Sequence, residues 1–259
     1  MQKEIENMET ITITNQKGGV GKTTITNELG HLLALDGHKV LLIDLDQQRN
    51  LTTSNALKNE PKKDILEMLL DGEIEPTPTA QKGLDILVGD ENLNNIEKKI
   101  DDLEKNYLLK NLLEGVKGYD FILIDTPPTI NFLTVNALTI SDYVITPTIP
   151  GTHAIDGLKE VYKLITRIKK YTNPNIKYLG IILNEYSNGK TLHKAIKSEL
   201  IELASAFNTS LFDTTIRNSV IVDESKIYKQ SLSEYAPKHK ATQDFKSLEL
   251  ELLDKLKGI

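Results

Sequence analysis

Cysteine is absent from all 259 residues. The chain therefore carries no disulfide framework and no thiolate-ligated zinc or iron–sulfur site, which fits a reducing compartment. Long apolar runs are missing as well: no stretch reaches the roughly 18 consecutive residues that a membrane span needs. The opening residues, MQKEIENMETITI, lack a basic region followed by an apolar run, so no secretory leader is expected. Positive charge is not in surplus either. With 31 Lys and Arg against 37 Asp and Glu the net charge is −6, so any nucleic-acid binding must come from a local basic patch. The five histidines (His31, His38, His153, His193, His239) show no metal-ligand spacing and read as surface or helix residues.

What is present is an alternation of short β-rich runs with helix-length amphipathic runs. The strand expectations are 10–14, 39–45, 84–89, 120–125, 143–148 and 177–184. Several of these are continuously apolar, as for strands covered on both faces. Helices are expected near 22–36, 91–115, 131–140, 152–170, 190–206 and 240–257, and 71–83 reads as a Pro- and Gly-rich surface loop. The expected fold is α/β: a doubly wound, mostly parallel sheet flanked by helices on both faces, forming one domain over 1–259.

The strongest local signal is KGGVGKTT, directly after the first strand and opening a helix. Gly18, Gly19 and Gly21 allow positive φ and leave the backbone N–H groups open to phosphate oxygens. The helix that starts near Lys22 aims its free N–H groups and positive dipole end at the same point. The whole run Lys17, Gly18, Gly19, Val20, Gly21, Lys22, Thr23 and Thr24 reads as a cradle for a nucleotide triphosphate. Lys22 would reach the β/γ-phosphates and the Thr23 hydroxyl would bind Mg²⁺. The strict phosphate-loop pattern wants glycine where Gln16 stands; Lys17 is the additional basic residue. Asp44 and Asp46 end the second strand, and Asp125 ends the strand DFILID. Ligands of open parallel sheets bind at these carboxyl ends, so the three carboxylates are expected to converge near the cation.

These segments resemble a known family. NQKGGVGKTT, LLIDLDQQRNLT and FILIDTPPTINFLTVNAL look like the deviant Walker A, Walker A′ and Walker B motifs of ParA/Soj-type partition ATPases, and EYAPKHKATQDF is similar to a stretch near their C-terminus. The resemblance implies ATP/ADP and Mg²⁺ as ligands. It makes Lys17 the signature lysine that reaches across an ATP-bound homodimer, and Asp46 the carboxylate that orients the attacking water. Asp44 and Asp125 then organise Mg²⁺ through water, and Asn184 falls where relatives contact adenine. One departure stands out: relatives usually read DPQGN where this chain has DQQRN at 46–50, so the stiffness of that loop differs.

Within the superfamily, iron proteins, iron–sulfur carriers and cysteine-regulated arsenite pump ATPases need thiols that this chain lacks. The alternative is a MinD-like ATPase for division-site positioning, which would need a basic amphipathic C-terminal helix for anionic lipid. Here the final helix carries a small acidic surplus, so packing on the domain is the expectation and no membrane binding is expected. Residues 186–246 hold nine Lys and Arg against seven acids, and relatives bind DNA non-specifically through C-terminal basic residues. Lys190, Arg217 and Lys226 are the expected DNA contacts. The few residues before the first strand leave no room for an N-terminal helix-turn-helix. The resemblance thus implies a slow, cytoplasmic, nucleoid-associated ATPase. It would partition plasmid or chromosomal DNA as an ATP-dependent dimer and be released by a ParB-like centromere-binding protein.

Overall fold

The computed structural model describes residues 8–100, 105–151 and 154–258, apart from the Lys98 side chain. His153 and parts of two expected helices (101–104 and 152–153) lie outside the described residues. Eight strands form a single sheet: β1 (Glu9–Ile13), β2 (Val40–Asp44), β3 (Thr77–Pro78), β4 (Leu84–Leu87), β5 (Phe121–Asp125), β6 (Tyr143–Thr148), β7 (Lys177–Leu183) and β8 (Leu211–Thr215). Their order is β3-β4-β2-β5-β1-β6-β7-β8, and every pairing is parallel except β3 with β4. The doubly wound α/β expectation holds.

The helices are α1 (Lys22–Leu35), α2 (Asn50–Thr53), α3 (Ile65–Asp71), α4 (Leu108–Leu113), α5 (Phe132–Ile140), α6 (Ala154–Tyr171), α7 (Thr191–Ala206), α8 (Ile221–Ile227), α9 (Leu232–Tyr235) and α10 (Lys240–Lys257). Along β2 the side chains alternate between two cores, as the strand period of two requires. Leu42 joins Ile11, Leu29, Leu33, Leu248 and Leu252 on one face, whereas Leu41 and Ile43 join Met68, Leu109 and Leu133 on the other. Both faces are therefore dry, which is why VLLID and FILID read as unbroken apolar runs.

Two expectations are corrected, and one strand, β8, is additional to those expected. The 71–83 loop contains β3, which pairs antiparallel through Thr77 with Ile86 and Pro78 with Asp85. Two residues at a sheet edge are too few to leave a hydrophobic pattern, and proline is tolerated there. Among the described residues, the expected helix 91–115 is instead a 3₁₀ helix over Leu93–Lys99 and the short α4. Asn92, Asn94 and Asn95 offer the backbone competing hydrogen bonds that weaken a long helix. Finally, β8 reads LFDTT, and only Phe212 in it is buried. Its edge is closed by Glu251 of α10, whose carboxylate accepts from the Asp213 and Thr214 N–H groups at 2.8 and 2.9 Å.

A buried polar chain ties the front of the molecule to its C-terminal part. Glu28 on α1 accepts from the Leu232 N–H at 2.9 Å and from Asn27 Nδ2 at 3.2 Å. Asn55, just past α2, donates to Asn27 Oδ1 at 2.8 Å and meets His31 Nε2 at 2.9 Å. Burial pushes the Glu28 carboxyl up to about 7 from its ordinary 4.5. A folded-state value raised above the unfolded one means stability that is complete below pH 4.5 and lost as pH rises through about 7. Glu28→Gln should remove that dependence. Between pH 5 and 8 the variant should gain roughly 2–3 kcal/mol on the wild type in urea unfolding; parallel pH profiles would show that Glu28 does not titrate in this window.

Candidate functional site

Parallel register brings the carboxyl ends of β1, β2 and β5 together, with Ile13 beside Asp125 and Asp125 beside Asp44. Just beyond β1, Asn15 pins the chain: its Nδ2 donates to the Pro147 carbonyl at 2.7 Å and its Oδ1 accepts from the Lys17 N–H at 3.1 Å. The glycine loop follows. Gly19 and Gly21 have φ of 73° and 95°, a region that disfavours side chains. Gly21 caps α1 without any side-chain partner, so the first-turn N–H groups of that helix face the loop's concavity. A Cβ on Gly21 would stand 2.3 Å from Asn184 Nδ2. Asn184 uses that nitrogen to hold the Val20 carbonyl at 3.0 Å, so it buttresses the loop from the end of β7.

Lys22 is buried, and its Nζ lies 3.4 Å from the Lys17 carbonyl. Burial depresses its affinity for a proton, while Asp125 and Asp46 pull the other way. Asp125 accepts from the Thr23 hydroxyl at 2.6 Å through Oδ2, and its Oδ1 is buried with no partner. Burial, and then the neighbouring Asp44, push the Asp125 carboxyl well above its ordinary value. Asp44 accepts from Thr52 N–H (2.8 Å), Thr52 Oγ1 (2.7 Å) and Asp46 N–H (3.2 Å), yet burial still raises it to about 6.

An open cavity of about 750 Å³ lies over this floor, lined among others by Gly21, Lys22, Thr23, Asp46, Asn184 and Lys226. Gly18, Gly19 and Thr24 line it as well, whereas Val20 is fully buried behind the loop. Asp44 and Asp125 lie fully buried, outside its lining. Lys17 is half-buried at one side, its Nζ 3.8 Å from where a Cβ on Gly151 would stand. The three carboxylates do converge.

The donor set fits a hard divalent cation. Asp125 holds the Thr23 hydroxyl on one oxygen and leaves the other orphaned, and two adjacent buried carboxylates call for a counter-charge. Among the described residues no cluster of three or more His, Cys, Asp or Glu forms a metal site by itself. A small cation held by few protein groups and completed by water and phosphate matches that arrangement.

The basic residues stand close to this site. Lys226 lines the cavity and pairs with Asp223 at 3.2 Å. Lys190 precedes α7 and lines a second cavity of about 740 Å³. Arg217 lines both and is held by Asp244 through two bonds of 2.6 and 2.8 Å.

Comparison with known proteins agrees with this geometry. Residues 8–178 match a family described as "AAA domain". Over 256 residues the chain is 31% identical to the chromosome partitioning protein ParA of Caulobacter vibrioides, covering 96% of this chain and 95% of the relative. It is 30% identical to the sporulation initiation inhibitor protein Soj of Bacillus subtilis, covering 93% and 97%. The chain belongs to the ParA/Soj family. The solved septum site-determining protein MinD of Pyrococcus horikoshii, complexed with Mg-ADP, also superimposes, with a TM-score of 0.75, 27% identity and coverage of 97% and 98%. The fold of this ParA/Soj chain is thus that of the P-loop ATPases.

Sequence reading alone did not single out Thr52, because an isolated Thr in LDQQRNLT carries no spacing signal. Its hydroxyl donates to Asp44 and accepts from the Gly89 N–H at 2.9 Å, so it joins β2 to the end of β4. Gly89 is closely packed there: a Cβ would stand 3.0 Å from the Asp44 carboxyl carbon, which would have to give way. Thr52→Val keeps the shape, strands the Gly89 N–H and takes from Asp44 one of the two donors that Thr52 supplies. It should cost about 1–3 kcal/mol in urea unfolding, with Thr52→Ser recovering most of the loss. Equal stability of the Val variant and the wild type would remove Thr52 from the site's framework.

Proposed function

We propose that this protein is a ParA-like ATPase that partitions DNA, hydrolysing ATP to ADP and phosphate. The observation that carries the reading is the uncapped N-terminus of α1, wrapped by Gly18–Gly21, beside the Thr23–Asp125 pair. It is a site for a polyphosphate with its cation. The first-turn N–H groups and Lys22 would hold the β- and γ-phosphates. Thr23, with Asp125 and Asp44 beneath it, would hold Mg²⁺ through oxygen and water. Bound Mg²⁺ supplies charge neutralisation across the phosphate oxygens.

Asp46 lines the cavity, which supports reading it as the carboxylate that would orient the attacking water. Lys17 lies at the side of the site, as suits a cation lent to a partner subunit's phosphates in an ATP-bound homodimer. Asn184 lines the cavity and would contact adenine while its Nδ2 holds the loop at Val20. The dimer would bind duplex DNA without regard to sequence through Lys190, Arg217 and Lys226 in a cytoplasmic, nucleoid-associated cycle. A ParB-like partner would trigger hydrolysis and release.

The competing reading is a MinD-like protein on a lipid surface. It needs a free apolar stripe on α10, and that stripe is in use. Leu248 and Leu252 are fully buried in the core, and Leu253 and Leu256 pack against the same cluster. This favours DNA over membrane.

Lys22→Ala should abolish ATP binding in a titration with a fluorescent analogue, and retained affinity would refute the phosphate-loop assignment. Asp46→Ala should keep ATP binding while phosphate release falls at least tenfold. The choice of surface is read by ATP-dependent co-sedimentation with plain duplex DNA or anionic vesicles. Binding to vesicles and not to DNA would overturn the partition reading.

A further inference from the structure

The loop that carries Asp46 is a β-turn closed by the Arg49 N–H to the Asp46 carbonyl at 2.8 Å. Neither central residue, Gln47 or Gln48, has positive φ, and Arg49 then adopts φ of 55°. A turn of this kind favours proline at its second position and glycine at its fourth. This chain has Gln47 and Arg49 there, so the backbone is neither stiffened nor free of strain.

Both side chains reach the same neighbouring segment. Gln47 Oε1 accepts from Asn94 Nδ2 at 2.7 Å, and Arg49 Nη1 lies 3.6 Å from Glu91 Oε1. Asn94 is held in turn by Asn131, the residue that caps α5, at 3.4 Å. The 3₁₀ segment is thereby a bracket between the Asp46 turn and the turn that follows Asp125.

We propose that Gln47 and Arg49 are positioning residues, which fix the Asp46 turn through side-chain tethers to Asn94 and Glu91 in place of backbone stiffness. The inference rests on reading Asp46 as the carboxylate that orients the attacking water. Exposed contacts of this type are individually weak. The turn is short and already closed at its ends, however, so a small bias suffices to select one arrangement of the carboxylate. Tethers of this kind act on turnover rather than on ATP affinity, because neither Gln47 nor Arg49 lies among the phosphate-loop residues.

The test is a cycle in the full-length protein. Glu91→Ala with Asn94→Ala cuts both tethers; Gln47→Pro with Arg49→Gly replaces them by a stiff turn. In the wild-type background, cutting the tethers should lower kcat for phosphate release three- to tenfold with KM for ATP unchanged within twofold. Hydrogen exchange at the residue 48 and 49 amides should quicken by a similar factor. In the Pro/Gly background the same cut should change both by less than 1.5-fold. Should the Pro/Gly protein fail to fold, Arg49→Glu combined with Glu91→Arg should recover at least half the turnover that either single reversal loses. An equal effect of the cut in both backgrounds, or no effect in the wild type, would overturn the tethers. If the wild type releases no phosphate under any condition, the Asp46 reading fails, and the exchange data still decide whether the tethers hold the turn.

Discussion

Two carboxylates buried side by side set the terms for the rest of the molecule. Parallel pairing of β2 with β5 puts Asp44 and Asp125 opposite one another, both fully buried. Left alone, such a pair opposes folding, since each charge is desolvated and repels the other. The surrounding elements are arranged around that problem. Thr52 gives Asp44 two donors, Thr23 gives Asp125 one, and Lys22 brings a cation. One Asp125 oxygen is still unsatisfied. Burial holds both carboxyls up toward neutrality, and a cation beside them would favour their charged forms.

Much of this was legible in the sequence because it rests on local rules. Strands dry on both faces must be continuously apolar, so β2, β5 and β6 stand out, and a glycine run between strand and helix can hardly be anything but a phosphate cradle. What was not legible depends on distant pairs. Arg217 reads as a free surface cation until Asp244, on another element, takes two of its three side-chain nitrogens. Thr52 matters only because Gly89 arrives from β4. The segment 91–115 has helical periodicity, and its asparagines break it; one of them, Asn94, is occupied with Gln47. Expected helices that overlap 101–104 and 152–153 touch residues outside the described set.

The C-terminal helix shows how one element can serve several demands. Its apolar side fills the core over α1, while Glu251 closes the polar edge of β8 and Lys255 reaches Ser210 at 2.8 Å. An open edge strand invites pairing with another chain. Covering it with a side-chain carboxylate counters that hazard, while core packing of Leu248, Leu252, Leu253 and Leu256 uses the apolar face that a lipid-binding helix would need to keep.

The same helix also bears on charge at the mouth of the site. Asp244 lies in α10, and its partner Arg217 follows β8 in the wall of both cavities. Lys226, on α8 across the mouth, is likewise paired with Asp223. The basic surplus of 186–246 is therefore partly neutralised where it meets the nucleotide cavity. A phosphate backbone would have to compete with these carboxylates. The Lys226–Asp223 pair yields easily because its net contribution is small, whereas the bidentate Arg217–Asp244 pair, with Asp244 13% exposed, yields less readily. Two copies of the patch side by side would compete better than one, and the competition would sharpen as salt falls. If the chain pairs and binds DNA as proposed, doubling this partly neutralised patch would make dimerisation, rather than the single chain, the event that sets DNA affinity.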